Sequence, residues 1–313
     1  MWKAALTALL LAATPALAAD YPERPVKLVV PYPAGGSADL PARIYAEGLQ
    51  RKLGKPFVVD NRAGAAGAIG TESVVRAAPD GYTIYCGPNS PLVLLPIIRP
   101  TNFKPTDLIP IAAYGEVVYA IGVLTETKAD NLKDLIALAK AAPGTLSYSS
   151  PGAGSATNLR GEALKHLAGV DIIHIPYRTG AEAIPDLLGG RLSMMLDNIY
   201  FPHVRTGKVK LLGVLTSRRF PEFSDVPTFA EQGFPIDVNV WAGFFAPVGT
   251  PQAIIDILAK AVNELNVEPE IIERQAKIGW VPFVSTPAQL RQQMTNEIES
   301  YGSWVKRLNF KID

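Results

Sequence analysis

The sequence predicts an α/β protein of two lobes, and three observations carry that reading. Short, β-branched apolar runs alternate with helical periods at the spacing of βαβ units. The same alternation runs from residue 26 to residue 86 and starts afresh near residue 132. A chain of 313 residues, 48% hydrophobic and 19% charged, is long and apolar enough for one large core or two ordinary ones with a cleft between them.

Val26 to Pro31 is a buried strand, and the glycine-rich turn Pro33 to Ser37 leads out of it. Leu40, Ile44, Leu49 and Leu53 then recur at helical spacing from Asp39 to Lys52, and Gly54 ends the helix. Phe57 to Asp60 is a strand, Asn61 to Gly70 a second glycine-rich loop and Thr71 to Ala78 a helix stopped by Pro79-Asp80-Gly81. Tyr82 to Cys86 is the third strand, so the sheet should be mainly parallel. In the second half, Leu132 to Ala142 is a helix and Thr145 to Ser149 a strand. The turn Pro151 to Ser155 enters a helix from Ala156 to Leu167. Ile172 to Pro176, Leu192 to Leu196 and Leu211 to Leu215 are strands, with a helix over Ala181 to Leu188. Beyond Trp241 to Pro247, Pro251 to Leu265 and Pro287 to Leu308 are amphipathic helices that should pack back on the first lobe. The lobes are then 20–123 with 241–313, and 124–240.

Composition excludes several functions. Thirty Lys and Arg against 29 Asp and Glu leave no basic surface for nucleic acid. The single Cys86 rules out internal disulfides and multi-cysteine metal sites, and a buried, inert thiol is its simplest role. Three histidines without HExxH spacing give no zinc hydrolase, and no cofactor is implied. Met1-Trp2-Lys3, the apolar Ala4 to Ala13 and Ala16-Leu17-Ala18 have the form of a cleaved signal peptide over residues 1–18, too short to span a bilayer. The mature chain would be exported and nearly neutral, since only Lys3 is lost from the charges.

Chemistry concentrates in two loops. Pro33 to Ser37 and Pro151 to Ser155 both leave a strand and enter a helix, where open α/β sheets bind ligands. Glycines let the backbone approach a ligand, and a helix N-terminus adds unsatisfied N–H donors and partial positive charge. Such loops can hold an anion without Lys or Arg, and Ser37, Ser150, Ser155 and Thr157 add hydroxyls. A carboxylate is the natural guest. Neither loop matches GxGxxG with its distant acid or the Walker pattern, and no GxSxG elbow exists. Asp197, at a strand end, is a ligand contact, a general base or a buried acid accepting backbone N–H groups. His174, between isoleucines, reads as a core histidine, while Trp241 and Tyr177 either line the pocket or fill core.

The string Pro25-Val26-Lys27-Leu28-Val29-Val30-Pro31-Tyr32-Pro33-Ala34-Gly35-Gly36, with Asp39 and Arg43, resembles the opening of the Bug-type extracytoplasmic receptors of tripartite tricarboxylate transporters. Asp60 to Gly64, Ala78 to Thr83, Tyr148 to Gly152 with Gly154-Ser155, His174 to Arg178, Asp186 to Gly190, Asp197-Asn198 and Ala246 to Pro251 continue the resemblance along the chain. It implies a type II periplasmic binding protein, two α/β lobes closing on a small organic carboxylate (a di- or tricarboxylate, an amino acid or an aromatic acid) without catalysis. The cargo would pass to a two-component membrane permease from the periplasm. The loop residues it implies as ligand-binding are Tyr32, Ala34, Gly35, Gly36 and Ser37, then Ser150, Gly154, Ser155, Ala156 and Thr157. Asn89, Ser90, Tyr177, Thr179 and Asp197 form further edges of the pocket. Asn158 stands where the family usually has His, Thr179 replaces a Gly, Ala68 replaces a frequent Asn, and Arg160 replaces a small residue. One turn into its helix, Arg160 reads as a solvated surface side chain. The competing readings are an exported α/β enzyme using Asp197 with Tyr177 or a loop Ser, and a receptor that reports to a sensor protein.

Overall fold

A computed structural model describes residues 21–216, 218–238 and 240–311; the expected signal peptide lies outside them. Strand β1 (Val26–Val30) is followed by helix α1 (Asp39–Leu53), β2 (Phe57–Asn61), α2 (Ala68–Val75), β3 (Thr83–Pro88) and the short α3 (Ser90–Val93) and α4 (Leu95–Ile98). The chain continues through β4 (Leu108–Val117), β5 (Ala120–Leu124), α5 (Leu132–Ala141), β6 (Ser147–Ser150), α6 (Ala156–Ala168), β7 (Ile173–Pro176) and α7 (Gly180–Leu188). Next come β8 (Met194–Asp197), α8 (Phe201–Arg205), β9 (Val209–Val214), β10 (Trp241–Pro247), α9 (Gln252–Leu265), α10 (Pro269–Lys277), β11 (Trp280–Val281) and α11 (Pro287–Leu308).

The strands form two sheets, ordered β11-β4-β10-β3-β1-β2 and β7-β6-β8-β5-β9. The first draws on both ends of the chain, because β10 and β11 return to it, and α9 packs beside α1 so closely that a Cβ on Gly48 would meet Leu265 at 2.7 Å. Strand β5, which spans the boundary expected at residue 123, pairs in the second sheet. Two connections join the sheets: Val118–Tyr119, and the long segment from β9 to β10.

The mainly parallel sheet expected from the βαβ spacing is not what forms. Strand β1 runs parallel to β2 and β3, and β6 parallel to β7 and β8. The strands next to the two connections, β4, β5 and β10, pair antiparallel, as does β11. Strand β4 and helix α10 are elements not expected above, although α10 is amphipathic, with Ile271 and Gln275 buried.

Local chemistry sets the element ends. Gly54 adopts φ +73° and closes α1 through its N–H to the Gln50 carbonyl. Asn131 caps α5 by accepting from Asp134 N–H at 3.0 Å, and Thr286 with Gln289 forms a reciprocal capping box on α11. Each sheet carries a buried apolar face, with Tyr45, Tyr85, Tyr114, Phe244 and Phe245 among the largest enclosed side chains of the first and Tyr148 and Tyr200 of the second. Cys86 is buried, and burial pushes its thiol well up. No helix among the described residues is long and apolar enough to cross a membrane.

Candidate functional site

The loop from β1 into α1 is fixed by Asp39. Gly35, at φ +76°, directs its N–H to Asp39 Oδ2 at 2.9 Å, while Arg43 Nε reaches the same oxygen at 2.8 Å and Asn61 Nδ2 reaches Oδ1 at 2.9 Å. Burial pushes this carboxyl up, but the Arg43, Gly35 and Asn61 hydrogen bonds and the Arg43 charge outweigh it and hold the carboxyl below its usual range. The loop therefore keeps its shape with no ligand contact from Asp39 itself.

The second loop enters α6 at Ser155, whose Oγ accepts from Asn158 N–H at 3.2 Å, while Asn158 Oδ1 accepts from Gly154 N–H at 3.2 Å. A third entrance follows β7, where Thr179 caps α7 by accepting from Glu182 N–H at 3.2 Å. The three entrances meet. A Cβ built on Gly36 would lie 3.9 Å from Thr179 Cγ2, so the first sheet's loop touches the second sheet's helix start.

Between them is a cavity of about 540 Å³, open mouth included, a size that suits a small molecule. The first sheet contributes Tyr32, Pro33, Gly36, Ser37 and Ala38, with Pro88 and Ser90 from the end of β3. The second contributes Pro151, Ser155, Ala156 and Thr157, then Arg178, Thr179 and Gly180. Tyr119, Val240 and Trp280 close the back, where the chain passes between the sheets. Arg178 is the one charged side chain in this lining, and no carboxylate faces in. The N-cap Ala38 of α1 and the first residues of α6 and α7 are in the wall, so the positive ends of three helices converge on the space, although α1 spends its Asp39 and Leu40 N–H groups on the Gly36 carbonyl. Trp280 also keeps a buried indole N–H without a partner. Among the described residues no group of three or more His, Cys, Asp or Glu stands together to hold a metal.

Of the residues singled out in the sequence, Tyr32, Gly36, Ser37, Ser90, Ser155, Ala156, Thr157 and Thr179 are thus brought together. Ala34 and Gly35 stand on the loop's exposed outer edge, and Gly154 is enclosed behind its own turn. Asn89 turns away, its amide 2.5 Å from Glu297 Oε2. Tyr177 points outward and donates to Asp186 Oδ2 at 2.8 Å. Asp197 is buried behind Gly180, its Oδ1 accepting N–H groups of Asn198 at 2.7 Å and Ile199 at 3.1 Å. Burial pushes its carboxyl up, only partly offset by those two amides and the Arg160 charge. Trp241 is core, donating to Glu297 Oε1 at 2.9 Å.

Two expectations are overturned. His174 is not a core histidine: β7 is an edge strand, so the ring is half-buried, lies tilted with its centroid 5.0 Å from that of Tyr148 and places Nε2 2.6 Å from Ser150 Oγ. Burial pushes its pKa down. Ser150 also donates to the Gly152 carbonyl at 2.9 Å, behind the loop rather than in the cavity. Arg160 is not on the surface but 1% exposed, because the chain preceding β10 folds over its helix and takes its Nε on the Val238 carbonyl at 2.7 Å. Tyr119, Val240 and Trp280 were not legible as pocket residues, since each lies in a connection or a two-residue strand with no motif of its own.

Residues 41–310 match the family described as Tripartite tricarboxylate transporter family receptor. The chain is 37% identical to Protein BugT of Bordetella pertussis over 306 residues, covering 96% of this chain and 94% of that protein. Among solved structures, the R. palustris protein Rpa4515 with adipate is 30% identical, with a TM-score of 0.87 over 93% of this chain and 99% of that one. MatC from Rhodopseudomonas palustris with bound malate is 28% identical, with a TM-score of 0.84 over 91% of this chain and 100% of that one. With this match across most of its length, the chain belongs to the receptor family of the tripartite tricarboxylate transporters.

Proposed function

We propose that the protein captures a small organic carboxylate in the periplasm and delivers it to a two-component membrane permease, after export on the leader at residues 1–18. The carrying observation is the convergence of three helix N-termini and Arg178 on a small cavity that no carboxylate side chain lines. Adipate in Rpa4515 and malate in MatC support the same class of guest. The two lobes, one around each sheet with β5 in the second, would close by pivoting at the connections beside Tyr119 and Val240, which line the cavity.

We read the protein as non-catalytic. Ser150 and His174 lie as close as a nucleophile and its base, at 2.6 Å, but the Ser150 hydroxyl is turned to the Gly152 carbonyl and stands outside the cavity lining. The test is thermal unfolding of residues 19–313, refolded from denaturant to strip resident ligand, against a panel of malate, adipate, citrate, aspartate and nicotinate. An acid at about 100 times its dissociation constant stabilises by roughly 2.7 kcal/mol, a midpoint rise of a few degrees. The Thr157→Val variant, which keeps the shape and loses the hydroxyl, should bind that acid about tenfold more weakly, the size of one hydrogen bond to a charged group. A flat panel would remove carboxylate capture.

A further inference from the structure

Arg160 carries a buried charge that no ion pair among the described residues answers. Its Nε is held by the Val238 carbonyl, and its guanidinium lies over the Tyr119 ring with Cζ 4.0 Å from the centroid. Its Nη1 is enclosed without any hydrogen-bond partner. None of the ion pairs among the described residues includes it. The carboxylates that feel its charge at a distance are Glu116, whose carboxyl burial pushes up, and Asp197, already accepting the Asn198 and Ile199 amides. A guanidinium stays protonated even when buried, so the cost of desolvating it falls on the folded protein unless an anion comes near.

The place an anion can come is one layer away. Arg160 lies three residues beyond Thr157 on α6, and the Tyr119 ring that it covers is itself part of the cavity wall, as is Thr157. We propose that Arg160 is a specificity-determining residue of the site: the carboxylate of the bound ligand is its missing counter-charge, felt through the Tyr119–Thr157 wall, so that the site prefers an acid over its uncharged amide. This rests on the carboxylate-receptor reading above and adds the residue that selects charge. Across one layer of side chains, at an effective dielectric of about 20, two unit charges attract by an amount equivalent to roughly ten- to a hundredfold in affinity.

The experiment is calorimetric titration of the wild type, Arg160→Met and Arg160→Lys with malate, adipate and nicotinate, each beside its uncharged amide (malamide, adipamide, nicotinamide). Arg160→Met should weaken the bound acid by roughly 10- to 100-fold and change its amide by less than about threefold, whereas Arg160→Lys keeps most of the acid preference. Should Arg160→Met fail to unfold cooperatively, Arg160→Gln, which retains a donor for the Val238 carbonyl, carries the same expectation. Equal losses for acid and amide would assign Arg160 a merely structural role and overturn the proposal, as would an unchanged preference. A wild type that binds none of the acids would overturn the receptor reading itself, so the two failures are distinct.

Discussion

Between about pH 4.5 and pH 7 the protein should lose roughly 3 kcal/mol of stability through one side chain, Glu297. This carboxyl lies on α11 under the first sheet, 7% exposed, and burial pushes it from its ordinary 4.5 up to about 7 against the hydrogen bonds of Gln293, Trp241 and Asn89. Glu116 adds to the rise. A carboxyl whose folded pKa lies above its unfolded one binds its proton more readily in the native state. Its stabilisation is therefore complete below about pH 4.5 and gone above about pH 7. The neutral form has a partner to hand: Asn89 Oδ1 is buried and unpaired, and the Asn89 amide sits 2.5 Å from Glu297 Oε2, a distance natural for O–H···O. Turning that amide over gives the protonated carboxyl an acceptor. Urea unfolding of the wild type and Glu297→Gln at pH 4.5, 6 and 8 measures the effect, because the difference between the two cancels the other titrating groups. That difference should change by about 3 kcal/mol across the series, and a difference independent of pH would show that Glu297 titrates alike in the folded and unfolded chain.

The Gly122→Ala variant should lose about 2–3 kcal/mol, at the upper end for overpacking a core. Gly122 lies on β5, between β8 and β9 of the second sheet, and has no unusual backbone conformation to defend. What it lacks is room. A Cβ there would stand 2.5 Å from Tyr200 Cζ, closer still to Cε2, and 2.9 Å from the hydroxyl. The Tyr200 ring cannot give way cheaply, since it is fully buried and donates to the Ala120 carbonyl at 2.7 Å. In a Tyr200→Ala background the added methyl should cost under 1 kcal/mol, and a double-mutant cycle by urea unfolding reads the difference. Additive effects would place the clash elsewhere.

These two cases mark where sequence reasoning stops. The strand–loop–helix alternation located nearly every βα unit, because apolar periodicity, glycine turns and caps are local. The two loops that converge on the cavity were legible for the same reason: Gly35, Gly36, Ser155 and Thr157 lie at strand-to-helix turns. Partners across the fold were not. Gly122 and Tyr200 are far apart in sequence, as are Asn89 and Glu297, and only the sheet order brings them together. Arg160 has the sequence context of a surface arginine, and its burial comes from the segment before β10 folding back over α6. His174 has the context of a core residue and is half-buried because β7 lies at a sheet edge. The parallel sheet was overestimated because βα units report on their own strands and say nothing of β4, β5 and β10, which flank the connections between the sheets.

The most direct test of carboxylate capture between the two sheets is a crystal structure of residues 19–313 with the tightest-binding acid of the panel. The acid should lie in the cavity between Ser37 and Thr157, its carboxylate accepting N–H groups from the starts of α6 or α7, with Tyr119 behind it. An acid bound outside that wall, or turned with its carboxylate to solvent and away from the helix starts, would contradict the account.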